Sequence, residues 1–376
     1  MLVRLLIFLA VALLIFVPLN WISYRQLTRT HPKRKRWIVG ALIAGNLMWP
    51  FIPFIRTFTP FSRAIRSTLG PIWFGWASFT LLYTLFVLLV LLAWIPFRKR
   101  PLHEFARWPS RVFLTIVTAG FLLGFYQALV PLRIERVAVS IANLPPSLEG
   151  KKLALMGDLH VGLFTRESRL QKIFTTAGQL APDAVLIAGD LLDDDPHFVP
   201  KLLGGARHLP PQIPLLAVLG NHEIYGDPLD VQKSLAGSRI KLLVNEGHPI
   251  GDLWIAGLSD PAAVQRNVAG LAPDLGKALQ GKPATSVPVV LSHQPKAIDD
   301  AKKRAMPLVL SAHTHGGQLG FRPLRWSLAG VFLPYHLGLY DLGATQLYIN
   351  TGTGYWLFPF RLGMTPEITL IELKRR

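Results

Sequence analysis

Four membrane-crossing helices followed by a water-facing α/β domain is the fold class this sequence predicts, and three observations predict it. Four uncharged apolar runs in the first 132 residues are each long enough to cross a bilayer, which takes about 20 helical residues. The charge is lopsided: residues 1–136 carry 17 Lys and Arg against 2 Asp and Glu, whereas residues 137–376 carry 23 against 20. From Val137 onward, short β-rich runs alternate with helical stretches, and several runs end in Gly or Ser followed by Asp, Asn or His.

The apolar runs span about 5–24, 37–55, 71–97 and 112–132, so the expected division is a membrane region at 1–133 and a second domain at 134–376. Pro18, Pro50 and Pro53 sit near run ends, where a lost helical hydrogen bond is tolerated, and Trp21, Trp37, Trp49 and Trp94 sit where an interfacial aromatic belt belongs. A cleaved signal peptide is the alternative for the first run. Its single basic residue before the run (Arg4), its length and its lack of a clear small-x-small site argue against that. None of the four runs holds Asp, Glu, Lys, Arg or His, which favours an anchor over a transport pathway.

Loop charge sets the expected orientation. Arg25, Arg29, Lys33, Arg34, Lys35 and Arg36 fall in the first loop, and Arg98, Lys99, Arg100, Arg107 and Arg111 in the third. The second holds only Arg56, Arg63 and Arg66. The positive-inside rule makes loops one and three cytoplasmic, which puts the C-terminal domain on the outer side of the cell membrane. The basic excess is thus explained by topology. The near-neutral second domain gives no reason to expect nucleic acid. The chain has no cysteine, which excludes disulfides, thiolate metal sites and cysteine nucleophiles.

In the second domain Lys152–Met156 runs into Gly157-Asp158-Leu159-His160, and Ala184–Ala188 into Gly189-Asp190. Leu215–Leu219 runs into Gly220-Asn221-His222-Glu223, Val287–Leu291 into Ser292-His293, and Leu308–Ser311 into Ala312-His313-Thr314-His315. Apolar runs of this length read as buried strands. Ligands bind beyond the carboxyl ends of strands in α/β sheets. Residues 168–180 space Leu170, Ile173, Phe174, Ala177 and Leu180 by threes and fours, as a helix does, and Pro228–Ala236 can form another. Lys241–Val244, Leu253–Gly257, Gln346–Ile349 and Ile368–Glu372 read as further strands, enough for two stacked sheets flanked by helices.

Each ligand-type fragment alone has a bland reading: a turn, a surface pair, a capped helix start. Five in succession, each after an apolar strand, read as one site. Asp158, His160, Asp190, Asn221, His293, His313 and His315 offer the oxygen and nitrogen donors that borderline divalent metals take. Two such metals about 3.5–4 Å apart acidify a bridging water and clamp phosphoryl oxygens, the needs of phosphoester hydrolysis. His313 and His315 either share a face of an extended segment or flank two metals from a loop.

These blocks resemble those of the calcineurin-like metallophosphoesterase superfamily, over about 134–373. His313-Thr-His-Gly-Gly-Gln318 and the tail Asn350-Thr-Gly-Thr-Gly354, Arg361-Leu-Gly and Pro366-Glu-Ile368 are similar to a membrane-linked bacterial branch of it. Two positions depart from the usual pattern: Gly157 stands where Ser is frequent, and Ala312 where many relatives have Gly. The resemblance implies a four-layer α/β/β/α sandwich and two divalent ions (Mn, Fe or Zn). It implies that Asp158, His160 and His315 hold one ion, that Asn221, His293 and His313 hold the other, that Asp190 bridges them, and that catalytic His222 serves the leaving oxygen as acid.

Other polar residues read more plainly. Asp193, Asp194 and Asp195 read as a solvated acidic loop, with Asp193 close enough to act behind the ligands. His197, His208, His248 and His336 read as ordinary surface histidines, and Arg361 as either a substrate-phosphate contact or a surface salt bridge. The expected function is hydrolysis of phosphoesters, diester or pyrophosphate, at a membrane. A lipid or lipid-linked nucleotide is a substrate class suggested by the anchor and by Trp326, Phe332, Tyr335, Tyr340, Tyr355, Trp356, Phe358 and Phe360, aromatics that equally suit the core of a second sheet. The alternatives are a hydrolase for soluble esters and a non-catalytic membrane scaffold, which would need no complete ligand set.

Overall fold

The computed structural model describes residues 17–47, 76, 79, 80 and 82–376. Residues 5–16, 48–55, 71–75, 77, 78 and 81 of the expected spans, and the second loop with Arg56, Arg63 and Arg66, lie outside the described residues. The chain divides into two compact units, Met1–Leu123 and Gly124–Arg376. The division falls inside a helix, before the boundary expected at residue 133.

In the first unit, residues 17–30, Lys35–Leu47 and 82–94 are helical. Among the described residues one helix, Leu102–Leu129, is long and apolar enough to cross a membrane, with a mean hydropathy of 1.8 over its most apolar stretch; the helical run Leu82–Phe97 is apolar but shorter. Helix Leu102–Leu129 begins well before the expected start at 112 and takes in Arg107 and Arg111, which the sequence reading put in a loop. Its 28 residues measure about 42 Å at 1.5 Å per residue, more than the roughly 30 Å hydrocarbon core. Its basic first turns can therefore stay outside the hydrocarbon.

The second unit is built on two six-stranded mixed sheets. The first orders β1 (Arg133–Ile141), β14 (Glu367–Arg375), β2 (Lys152–Met156), β3 (Ala184–Ile187), β4 (Leu215–Val218) and β5 (Lys241–Leu243). The second orders β12 (Gly338–Asp341), β13 (Gln346–Ile349), β9 (Leu308–Ser311), β8 (Val287–Leu291), β7 (Leu253–Gly257) and β6 (Glu246–Ile250). A small hairpin, β10 (Gly320–Phe321) with β11 (Trp326–Ser327), stands apart from both. β2 through β5 run parallel, as do β7, β8, β9 and β13.

Side-chain alternation explains the layering. On β2, Leu153 and Leu155 enter the core between the sheets, while Ala154 and Met156 face the helical side of the first sheet. On β9, Leu308 and Leu310 enter the shared core and Val309 faces the outer layer of the second sheet. Strands buried on both faces read as continuous apolar runs, which is why these were legible. Helix Glu167–Gln179 covers the first sheet with Leu170, Ile173, Phe174 and Ala177, the stripe its spacing predicts. The result is the α/β/β/α sandwich. β1 was not anticipated as a strand; it pairs in parallel with β14 from Arg133↔Glu367 to Ile141↔Arg375, so the start of the domain lies beside its end.

Candidate metal centre

The five ligand-bearing segments leave the carboxyl ends of β2, β3, β4, β8 and β9, and backbone pairing continues into them. Asp158 N donates to Gly189 O at 3.0 Å, His160 N to Asp190 O at 3.0 Å, and Ala312 N to His293 O at 3.0 Å. Five of the seven candidate ligands sit in the left-handed region: Asp158 (φ 52°), His160 (43°), Asp190 (50°), His313 (72°) and His315 (50°). Such backbone costs on the order of 1–3 kcal/mol per residue and clusters where function over-determines it.

Close approach also fixes the glycines. A Cβ on Gly220 would stand 2.1 Å from Asp190 Oδ1, and one on Gly189 2.7 Å from His293. A Cβ on Gly157 would stand 2.5 Å from the Cβ of Ala312. The two departures from the family pattern therefore face each other. Between these two positions the one side-chain carbon is supplied by Ala312.

All seven predicted residues converge. Asp158, His160 and His315 present donor atoms within 4.8 Å of one another, and so do Asp190, His293 and His313. His160 Nε2 lies 3.0 Å from His315 Nε2. His293 Nε2 lies 3.0 Å from both Asn221 Oδ1 and His313 Nδ1. Asp190 Oδ2 stands between the two sets, 3.6 Å from His160 Nε2 and 3.2 Å from His293 Nε2. His313 and His315 reach different sets from a loop.

The hydrogen bonds behind these groups fix their tautomers. Ala188 O can only accept, so His293 Nδ1 donates to it at 2.8 Å and turns Nε2 inward. The Arg361 guanidinium can only donate, so His315 Nδ1 accepts from it at 2.9 Å and His315 Nε2 carries the proton directed at His160. Asp158 Oδ2 is buried without a hydrogen-bond partner. Clustered nitrogen and carboxylate donors, an orphaned carboxylate oxygen and left-handed backbone fit divalent cation binding.

The electrostatics agree. Burial pushes the Asp158 carboxyl up to about 7 against the pull of His293. Burial works the same way on Asp190, but the neighbouring His293 charge and hydrogen bond hold it well below the usual carboxylate range. Burial opposes an imidazolium at His293, yet Asp190 and Asp158 win and raise it to about 10. His313, desolvated and beside His293, falls to about 3.

His222 faces the same cleft, its ring centroid 4.5 Å from that of His160. Burial disfavours its imidazolium, but a 2.8 Å contact with Asp194 and the charge of Asp190 raise it to about 9. Asp193 Oδ1 lies 3.8 Å from His222 Nδ1 and 3.9 Å from His160 Nδ1. The acidic run is thus not simply a solvated loop: two of its members face the site, while Asp195 caps a 3₁₀ turn by accepting from His197 N.

Arg361 is neither a surface salt bridge nor open to substrate. It is fully buried and donates to Thr351 O at 2.7 Å and Met364 O at 3.1 Å as well as to His315. Burial lowers it to about 10 despite Asp158 and Glu367. The sequence by itself assigns Glu223 no role. Its carboxylate accepts from Gly220 N (2.7 Å), Leu192 N (2.9 Å) and Asp190 N (3.1 Å), clamping the Asp190 loop. An acidic residue three after a helix-capping position was the available signal.

Residues 151–317, which contain all seven, match the calcineurin-like phosphoesterase family. An uncharacterized metallophosphoesterase of Helicobacter pylori is 32% identical over 281 residues, 74% of this chain and 73% of that one. One from Campylobacter jejuni is 33% identical over 265 residues, 69% and 68% of the two chains. A zebrafish (Danio rerio) transmembrane protein with metallophosphoesterase domain is 33% identical over 276 residues, 70% of this chain and 62% of that one, so the likeness is not confined to bacteria. Its name and the apolar helix Leu102–Leu129 both point to membrane association. Sharing the domain match and the extended identity with these proteins, the chain belongs to the calcineurin-like metallophosphoesterases and is a hydrolase.

Proposed function

We propose that this protein is a membrane-anchored, dinuclear phosphoesterase. The observation that carries the reading is the position of Asp190 Oδ2 between two sets of inward-facing donors. In this reading Asp158, His160 and His315 hold one ion, Asn221, His293 and His313 the other, and Asp190 both. When bound, two such ions supply an acidified water and neutralise phosphoryl charge.

The chain's own residues do the rest. Ala188 O and Arg361 orient His293 and His315. Glu223 fixes the Asp190 loop. His222, its proton supported by Asp194, delivers it to the leaving oxygen.

Trp356, 42% exposed and with its ring 6.4 Å from that of His222, gives the cleft an apolar lip. That lip and the anchor favour a substrate with a lipid part, a phospholipid or lipid-linked nucleotide, over a soluble ester. The basic loops favour an anchor of four spans with the catalytic unit on the outer side. Asp190→Asn and His293→Ala should each lose bound metal and cut hydrolysis of an aryl phosphodiester by orders of magnitude. Near-normal metal content and turnover in either would sink the two-ion assignment.

A further inference from the structure

The hairpin that follows the paired histidines is unusually apolar on its outside. β10 and β11 pair antiparallel, with one 3₁₀ turn, Arg322–Leu324, at the tip and another, Leu328–Val331, behind. Leu324 is 76% exposed, Phe332 78% and Val331 62%, with Phe321 and Trp326 about half exposed. Soluble surfaces scatter such residues singly; a contiguous patch marks an interaction site.

The root of the hairpin shows what covers it. Gly320 N donates to Leu362 O at 2.9 Å, and Leu362 N to Gln318 O at 2.8 Å. The next tail residues lie against the end of the apolar helix. Arg361 N donates to Gly124 O at 3.0 Å, Gly363 N to Gln127 Oε1 at 2.8 Å, and Phe358 meets Phe125 edge-on at 4.8 Å. Gly124 is five residues before the helix end, about 7.5 Å along its axis. The hairpin thus stands one backbone pairing from Gly124–Gln127, in the last turns of the apolar helix.

We propose that the hairpin at residues 320–333 dips into the lipid surface and seats the catalytic cleft against it. The proposal rests on the membrane attachment proposed above. The contact is apolar rather than ionic, because the two hairpin arginines are engaged elsewhere. Arg322 pairs with buried Glu367, and Arg325 lies over the Tyr340 ring and donates to Leu339 O. Aromatic and aliphatic side chains at this depth suit the headgroup–acyl boundary.

The absence of cysteine makes a direct test available. Leu324→Cys and Phe332→Cys, each carrying a nitroxide on the full chain in phosphatidylcholine nanodiscs, are compared with Gln280→Cys, an exposed turn position in the segment before β8. Oxygen should relax the labels at 324 and 332 more than a water-soluble nickel chelate does, with the reverse at 280. Labels at 324 and 332 that behave like the one at 280 would overturn the proposal. So would spin–spin broadening in discs holding two chains, which would make a second copy the occupant. A further label at Ile116→Cys, exposed on helix Leu102–Leu129, reports the attachment itself, so loss of the anchor is distinguished from a hairpin that stays in water.

Discussion

The facing pair Gly157 and Ala312 gives a quantitative test of how the metal centre is packed. Gly157→Ser places a Cβ 2.5 Å from Ala312 Cβ, about 1 Å inside the 3.5–4.0 Å at which carbons rest. Neither strand end can yield freely, because the adjacent residues are Asp158 and His313, joined by a 3.1 Å bond from His313 N to Asp158 Oδ1. Overpacking of this kind costs about 1–3 kcal/mol. A displacement of ~1 Å among catalytic groups can cost roughly 10²-fold in rate. Ala312→Gly alone removes a fully buried methyl and adds backbone freedom, about 1 kcal/mol in all. Together the two changes leave one side-chain carbon between the strands and add the Ser hydroxyl. The double variant should recover denaturation midpoint, bound metal and phosphodiesterase activity, with a coupling of about 1–3 kcal/mol. Losses that simply add, leaving the double variant worse than Gly157→Ser, would refute the packing argument.

His222→Ala should keep its metal and lose about 10²–10⁴ in turnover, the worth of a positioned acid; loss of metal by elemental analysis would make His222 a ligand instead. Metal uptake should release protons, since ion-free His293 is raised to about 10 and holds a proton at neutral pH that a cation must displace. Apparent affinity should therefore rise with pH through the neutral range, and titration calorimetry in buffers of different ionisation enthalpy that detects no proton release would contradict this. A reporter fused after Arg376 should be active only outside the cytoplasm, and cytoplasmic activity would reverse the proposed orientation.

What the sequence determined by itself is local. Strands such as Leu308–Ser311 are continuous apolar runs because both faces are buried. The stripe of helix Glu167–Gln179 repeats every three or four residues because one face is. The candidate ligands follow strand ends, an order visible in the sequence alone. Tertiary structure decided what depends on distant partners. His160 and His315 meet across 155 positions, and loop geometry sent His313 and His315 to different sets. Arg361 reads from sequence as a substrate-phosphate contact or a surface salt bridge, yet carbonyls of Thr351 and Met364 and the ring of His315 hold it inside. The Gly157 and Ala312 departures, unrelated along the chain, proved to be two halves of one contact. Trp326 and Phe332 of the hairpin read equally well as core, because composition records how apolar a residue is but not which neighbour covers it.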